Sequence, residues 1–220
     1  MYVKICGLRD PAHATLAAEL GADAVGVVMS PRSSRHASVD DARAVVSAAR
    51  STRSDIDTVL VVNTLPAAEA ARLAVDLGFD VLQLHGEYTA EDVAAARTQI
   101  PRVWRATSLA QFPNLRTGEL SEERLLLDGA TPGSGDTWDL SPLGSDAALR
   151  RRIGTDWLLA GGLSPDNVAA AISLARPGGV DVSSGVESAA GHKHPGLISR
   201  FIAAARAASA STDESDTPHE

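Results

Sequence analysis

Short apolar runs alternate with alanine-rich segments of helical periodicity eight times along this chain, and this alternation constrains the fold more than any other feature. Strands that alternate with helices pair in parallel, because each helix carries the chain back across the sheet. Eight such units within 220 residues fit a closed (β/α)8 TIM barrel better than an open doubly wound sheet. The predicted strands span residues 2–6, 24–29, 57–63, 80–84, 102–106, 124–128, 156–160 and 179–183.

A helix is expected after each strand. Six are predicted clearly, at residues 11–20, 39–50, 66–77, 90–97, 165–174 and 195–208, and four of them begin at a proline, which suits a first helical turn. The fifth and sixth helices have weaker patterns, within residues 108–118 and 141–152. Residues 209–220 are polar and acidic without apolar periodicity, so we expect a barrel domain of residues 1–208 and a disordered tail.

Composition narrows the possible partners. The formal net charge is −8 and aromatic residues make up only 4% of the chain, which argues against a nucleic-acid-binding surface. No apolar window reaches the roughly 20 residues of a membrane span, and the first residues begin a strand. A single cysteine excludes an intramolecular disulfide. We therefore expect a cytoplasmic protein that binds small anions through local groups.

The carboxyl-terminal strand ends of such a barrel form its active site, and two of them carry groups suited to proton transfer. Cys6 ends the first strand, where it is a metal ligand, a buried apolar residue, or a nucleophile or base. Asp128 ends the sixth, where desolvation would raise its pKa toward that of a general acid, although a solvated loop aspartate is the common alternative.

Small residues follow the seventh and eighth strands. Gly161 and Gly162 lie in one loop, and Ser183, Ser184 and Gly185 lie in the other. Barrels commonly bind phosphate with this pair of loops. The sequence therefore predicts a phosphate site there, as opposed to two ordinary turns.

Other polar residues are candidates for the same pocket. The loop after the second strand carries two arginines, either of which could bind a carboxylate if it points inward. His85 ends the fourth strand and either lines the pocket or bonds to nearby backbone. The loop at 129–138 contains Gly133, Ser134 and Gly135 and could fold over a ligand. Histidine spacing predicts no metal site.

These segments resemble the phosphoribosylanthranilate isomerase family of tryptophan biosynthesis from about Val3 to Ala205. The segments that carry the resemblance are Val3-Lys4-Ile5-Cys6-Gly7-Leu8, Gly21-Ala22-Asp23-Ala24-Val25-Gly26, Ser30-Pro31-Arg32-Ser33-Ser34-Arg35, Val81-Leu82-Gln83-Leu84-His85-Gly86, Leu125-Leu126-Leu127-Asp128, Gly133-Ser134-Gly135, Leu159-Ala160-Gly161-Gly162-Leu163-Ser164-Pro165-Asp166-Asn167-Val168 and Val180-Asp181-Val182-Ser183-Ser184-Gly185-Val186-Glu187.

The resemblance implies a cofactor-independent Amadori rearrangement that converts N-(5-phosphoribosyl)anthranilate into an open-chain 1-deoxyribulose 5-phosphate. It also implies Asp128 as the general acid, Cys6 as the general base, Arg35 as the ligand of the anthranilate carboxylate, and the two small-residue loops as the phosphate site. Lys4 shares the inward face with Cys6 and either lowers the thiol pKa or pairs with Asp181 on the eighth strand, of which we expect the pairing.

The covering loop departs from the resemblance, because Asp136 stands where the family usually has a polar or basic residue and Ala130 replaces a polar one. A specialised paralogue acting on a modified anthranilate, or a binding protein without turnover, therefore stays open. A histidine-pathway isomerase is disfavoured because Cys6 replaces its first-strand aspartate. A metal-dependent epimerase is disfavoured because among its strand-end ligands only His85 is present. We expect a monomer or a weak homodimer.

Overall fold

The computed structural model describes residues 1–129 and 137–215, with side chains to residue 210. Eight parallel strands close into a barrel in sequence order, which confirms the predicted fold, and β8 pairs with β1 to complete it. Each strand lies within one residue of its predicted bounds. The strands are β1 (Tyr2–Ile5), β2 (Ala24–Val28), β3 (Asp57–Val62), β4 (Val81–His85), β5 (Val103–Thr107), β6 (Arg124–Leu127), β7 (Trp157–Leu159) and β8 (Gly179–Val182).

Helices surround the barrel. Several of their amino-terminal ends are stabilised by side-chain caps, as in the capping box of Ser38 and Asp41 and that of Thr89 and Asp92. A short 3-10 helix (Ser184–Val186) and a hairpin of β9 (Glu187–Ala189) and β10 (His192–Lys193) follow β8. The helices are α1 (Pro11–Glu19), α2 (Val39–Thr52), α3 (Ala67–Leu77), α4 (Ala90–Arg97), α5 (Ser141–Ser145), α6 (Ala147–Ile153), α7 (Val168–Ala175) and α8 (Pro195–Ser215).

The fifth predicted helix is wrong. Residues 108–123 form turns in place of a helix, and Leu115 is buried among them. Pro113 cannot donate a backbone hydrogen bond, and the carboxylate of Glu122 accepts bonds from the N–H groups of Gly118 and Leu120 at 2.8 and 2.9 Å. This side chain therefore organises the segment as a set of turns.

The sixth predicted helix is divided in two. Asp146 has an extended backbone that ends α5, and its carboxylate caps α6 by accepting bonds from Ala148 N and Leu149 N. An aspartate at this position favours a new helix start over a continuous helix.

The carboxyl-terminal tail also differs from the prediction. The backbone of α8 continues to Ser215, whereas the sequence pattern predicted disorder from residue 209. The alanines at 207, 208 and 210 are strong helix formers and extend the helix beyond its apolar face. Residues 216–220 lie outside the described part of the chain, and the domain boundary at 208 stays a prediction.

The barrel interior has its own apolar cluster, separate from the larger one between strands and helices. Side chains alternate along β1, so that Tyr2, Lys4 and Cys6 share its inward side. Gly26 lies beside them on β2, and a β-carbon there would lie 2.8 Å from Cys6 Sγ. Within the described residues, no helix has the length and apolar composition needed to cross a membrane.

Candidate active site

A cavity of about 560 Å³ opens at the carboxyl-terminal ends of the strands. Cys6, Asp128, Asp181 and Ser183 line it from the ends of β1, β6 and β8. His85, Gln83 and the loop after β2 complete most of its wall. The barrel thus brings the predicted acid and base, which are more than a hundred residues apart in sequence, to one cavity.

Cys6 lies on the cavity floor and is only 5% exposed. Its backbone N–H donates to Val182 O at 2.8 Å, which fixes the residue at the junction of β1 and β8. Burial raises the pKa of the thiol above its ordinary value of 9.0, although the neighbouring Lys4 and Lys193 cations oppose this change. The thiol of the unliganded protein is therefore protonated at neutral pH.

Lys4 and Asp181 form the ion pair that the strand pattern predicts. The two residues are register partners on β1 and β8, and Lys4 Nζ donates to Asp181 Oδ1 at 2.9 Å. The lysine is fully buried, so its charge requires this carboxylate. The Lys4 cation also lowers the pKa of Cys6, so it favours the thiolate while it pairs with Asp181.

Among the described residues, Asp128 has few partners for a buried carboxylate. Its Oδ1 accepts a 2.7 Å hydrogen bond from Gly129 N, and its Oδ2 lies 3.8 Å from His85 Nε2. Burial raises the pKa of Asp128 to about 6, the Gly129 bond lowers it, and the nearby Asp181 charge raises it further. A carboxyl group with this pKa holds a proton in a useful fraction of molecules near neutral pH.

His85 lines the cavity, as one of its two predicted placements requires. Burial lowers the pKa of this imidazole below 6.5, so the ring is mainly neutral at pH 7. No described residue forms a hydrogen bond with its Nε2. A neutral ring with an unpartnered nitrogen can bond to a ligand hydroxyl or to the carboxyl of Asp128.

Arg35 also lines the cavity, but its guanidinium is already paired. Nε and Nη2 donate to the two carboxylate oxygens of Glu187 at 2.7 and 3.0 Å. Lys193 Nζ donates to the same carboxylate at 2.7 Å, and the two cations lower the pKa of Glu187 to about 2 despite its burial. Sequence reasoning gave no role to Glu187 or Lys193. Their one signal was a glutamate and a lysine flanking the glycine hairpin after β8.

The two predicted phosphate loops lie beside the acid and the base. Gly161 has a φ of +87°, and a β-carbon there would lie 2.7 Å from Asp128 Oδ1. Ser183 Oγ donates to Cys6 O at 3.2 Å, and Ser184 and Gly185 form the 3-10 helix that follows. Gly162 completes the first loop, where Asn167 Nδ2 donates to its carbonyl.

The loop after β6 is described only at its ends. Gly133, Ser134, Gly135 and Asp136 lie outside the described residues. Trp138, which follows them, donates from Nε1 to Ala160 O at 2.9 Å and packs against Gly129 and Gly161. The carboxyl-terminal end of the loop is thus anchored on the loop after β7, the first of the two predicted phosphate loops. Among the described residues, no three His, Cys, Asp or Glu side chains converge as a metal site.

Comparison with known proteins agrees with this geometry. The family model for N-(5′-phosphoribosyl)anthranilate isomerase matches residues 3–204. An N-(5′-phosphoribosyl)anthranilate isomerase of Afipia carboxidovorans is 41% identical, over 96% of this chain and 92% of the relative. The crystal structure of TrpF from Jonesia denitrificans superposes with a TM-score of 0.83 at 50% identity, covering 95% of this chain and 98% of that one.

A second similar structure contains a ligand. It is a phosphoribosyl anthranilate isomerase in complex with reduced 1-(o-carboxyphenylamino)-1-deoxyribulose 5-phosphate, with a TM-score of 0.79 and 32% identity over 94% of this chain and 99% of that one. Sequence, barrel and strand-end residues therefore agree, and this chain belongs to the N-(5′-phosphoribosyl)anthranilate isomerase family.

Proposed function

We propose that the cavity converts N-(5′-phosphoribosyl)anthranilate into 1-(2-carboxyphenylamino)-1-deoxyribulose 5-phosphate, an aldose–ketose isomerisation of tryptophan biosynthesis, with Asp128 as acid and Cys6 as base. Membership of the isomerase family supports the reaction. The observation that carries the residue roles is that a buried carboxyl of raised pKa and a buried thiol line one cavity from different strands.

The reaction needs one proton donor and one proton acceptor. Asp128 gives its proton to the ring oxygen of the ribose, and the C1–O bond breaks to leave a protonated Schiff base between C1 and nitrogen. The Cys6 thiolate then removes the C2 proton, and the electron pair moves to form an enolamine. Tautomerisation to the ketone gives an isomer of the substrate, so no external oxidant, reductant or cofactor is required.

The two groups must react from a minor protonation state. The pKa of Asp128 is about 6 and that of Cys6 is above 9.0, so the state with a protonated acid and a thiolate base is about one molecule in a thousand or fewer. Below about pH 6 the thiolate fraction limits kcat/KM, and above the thiol pKa the protonated acid does. A bound phosphate dianion would raise the pKa of Asp128 and enlarge the active population.

The anionic ends of the substrate have separate sites in this proposal. Gly161, Gly162, Ser183, Ser184 and Gly185 bind the phosphate from the loops after β7 and β8, which lie beside Cys6 and Asp128. Arg35 binds the anthranilate carboxylate from the loop after β2. Gly133, Ser134 and Gly135 are proposed to cover the ligand. Local hydrogen-bond donors and one arginine thus bind two anionic groups in a chain of negative net charge.

We also infer that the protein is a cytoplasmic enzyme and a monomer or weak homodimer. Its one cysteine is a buried free thiol, which suits a reducing compartment. A solved relative from Thermotoga maritima is described as a dimeric phosphoribosylanthranilate isomerase from which monomers were generated.

The test is the loss of anthranilate-type fluorescence when the purified protein receives phosphoribosylanthranilate made in situ. Cys6→Ala and Asp128→Ala should each reduce kcat by about 100-fold or more, the lower end for losing a general acid or base. A folded wild type without turnover would contradict the proposal, and ring-substituted substrates would then distinguish a specialised enzyme from a binding protein.

A further inference from the structure

Arg35, Glu187 and Lys193 form a buried cluster that joins three parts of the barrel's upper end. Their side chains are 11%, 4% and 2% exposed, respectively. Arg35 comes from the loop after β2, whereas Glu187 and Lys193 come from the two strands of the hairpin after β8. Gly191 N also donates to Glu187 Oε2 at 3.1 Å, so the carboxylate is held from several sides.

The pairing leaves one edge of Arg35 available. A guanidinium has five N–H donors, and the Glu187 carboxylate takes one from Nε and one from Nη2. The Nη1/Nη2 edge keeps three N–H groups, and no described residue bonds to Nη1. A carboxylate ligand can therefore make a second bidentate contact on that edge. Arg35 lines the cavity, whereas Glu187 and Lys193 are not among its described lining residues.

Charge balance gives Lys193 a role of its own. Arg35 and Glu187 alone would form a neutral pair, and a second carboxylate brought to a neutral pair gains little net attraction. Lys193 returns the cluster to a formal charge of +1. The cluster thus keeps a fixed guanidinium and still attracts an anion.

Gly7 allows the two cations to approach this closely. Its φ is +74°, and a β-carbon would lie 2.9 Å from Arg35 Cδ and 3.3 Å from Lys193 Nζ. Lys193 Nζ also donates to Ser183 O at 2.9 Å and to Ser183 Oγ at 3.2 Å. The cluster is thereby connected to the loop that is proposed to bind phosphate.

We propose that Glu187 and Lys193 are positioning residues for carboxylate recognition: Glu187 orients the Arg35 guanidinium toward the cavity, and Lys193 supplies the positive charge that this pairing would otherwise cancel. The inference rests on the proposed function, in which Arg35 binds the aryl carboxylate of the substrate. Neither residue is required to touch the ligand.

The test compares two probes, reduced 1-(2-carboxyphenylamino)-1-deoxyribulose 5-phosphate and its counterpart without the ring carboxylate. Calorimetry gives Kd for each, and the ratio of the two values measures carboxylate preference independently of phosphate binding. Glu187→Gln and Lys193→Met should each reduce this preference about tenfold. In turnover, KM should rise about tenfold with kcat changed less than threefold.

Three further variants serve as controls for this result. Glu119→Gln removes the carboxylate from another arginine–glutamate pair, with buried Arg105 at 2.7 Å, and should leave the preference unchanged. Arg35→Met should reduce the preference more than either substitution above, to a small residual value, and adding Glu187→Gln to it should change nothing more. An additional loss of preference in that double variant would overturn the inference, because Glu187 would then act independently of Arg35.

Failure of this inference can be told apart from failure of the proposed function. Lys193→Met leaves Arg35 and Glu187 as a neutral pair, so it is expected to fold even if Glu187→Gln does not, and circular dichroism checks both. A preference within twofold of wild type in the folded variants would overturn the inference alone. A wild type that binds neither probe would overturn the proposed function and this inference together.

Discussion

At the amino-terminal end of the barrel interior, Asp57 accepts hydrogen bonds from Tyr2 and Arg102, whereas at the carboxyl-terminal end Asp128 accepts one from Gly129 N and has no cation within bonding distance among the described residues. Asp128 is buried and Asp57 is half-buried, and burial raises the pKa of each. At Asp57 the bonds from Arg102 and Tyr2 outweigh burial and lower the pKa below its ordinary value. At Asp128 burial prevails, and the pKa is about 6.

The surroundings of Asp57 form a closed network. Arg102 pairs with both Asp57 and Glu123, and Arg124 stacks over the rings of Tyr2 and Trp104 at 4.3 and 5.1 Å. At the opposite end the charges face a cavity of about 560 Å³. An aspartate thus stabilises the fold at position 57, where a described cation and a hydroxyl group bond to it. At position 128, where the described partners are few, it holds a transferable proton.

The largest expected effect separates the two aspartates by activity. Asp128→Asn should reduce kcat about 100-fold or more, because the amide has no acidic proton to donate. Asp57→Asn should leave kcat within threefold. Steady-state fluorescence assays of both variants test this. Equal losses would show that the amino-terminal network contributes to catalysis and would remove the functional contrast.

The second prediction concerns stability. The folded pKa of Asp128, about 6, lies above its ordinary value of 3.8. The contribution of the protonated carboxyl group to the free energy of unfolding is therefore fully present below pH 3.8 and is lost as pH rises through 6. Ionising the buried group costs about 3 kcal/mol, at 1.36 kcal/mol for each of about two pH units. Asp128→Asn should therefore be more stable than wild type by up to about 3 kcal/mol at pH 8.

Urea unfolding at pH 4.5 and pH 8 measures this difference, which should shrink markedly at the lower pH. If the variant is no more stable than wild type at pH 8, the ionised Asp128 carboxylate does not destabilise the folded protein and the prediction is wrong. The carbonyl oxygen of the introduced amide can still accept the bond from Gly129 N, so the substitution changes charge more than packing.

Asp57→Asn should have the opposite sign and a smaller size. Removing this carboxylate leaves Arg102 and Tyr2 without their shared partner, and we expect a loss of about 2 kcal/mol in the free energy of unfolding at pH 7. The exposed Asp166–Arg200 pair provides the matched control, since Asp166→Asn should cost less than about 0.5 kcal/mol. Similar losses in both variants would mean that burial adds nothing to the Asp57 network.

The smallest effect compares two positions on β2. Gly26→Ala places a β-carbon 2.8 Å from Cys6 Sγ and 3.2 Å from Lys4 Cε, so the thiol must move, and kcat should fall about tenfold. Ala24→Gly, lower on the same strand, should cost about 1 kcal/mol of stability and leave kcat unchanged. Unchanged activity in Gly26→Ala would show that the position of the thiol is not critical.

The sequence pattern predicted the barrel and the main residues of the candidate site. Strand positions, the barrel and the convergence of Cys6 and Asp128 follow from local periodicity and from the rule that parallel strand ends meet at one face. Even the Lys4–Asp181 pair followed from alternation along β1 and β8, because side-chain direction in a strand repeats every second residue.

Tertiary structure decided the rest. The segment at 108–118 became turns because Glu122 captured backbone N–H groups, a competition that helical periodicity does not describe. The pairing of Arg35 with Glu187 and Lys193, and of Asp57 with Arg102, depends on strands brought together by barrel closure. A charged side chain selects its partner by distance and desolvation in three dimensions. The sequence therefore determined which groups reach the cavity, and only the closed barrel determined which of their charges are compensated.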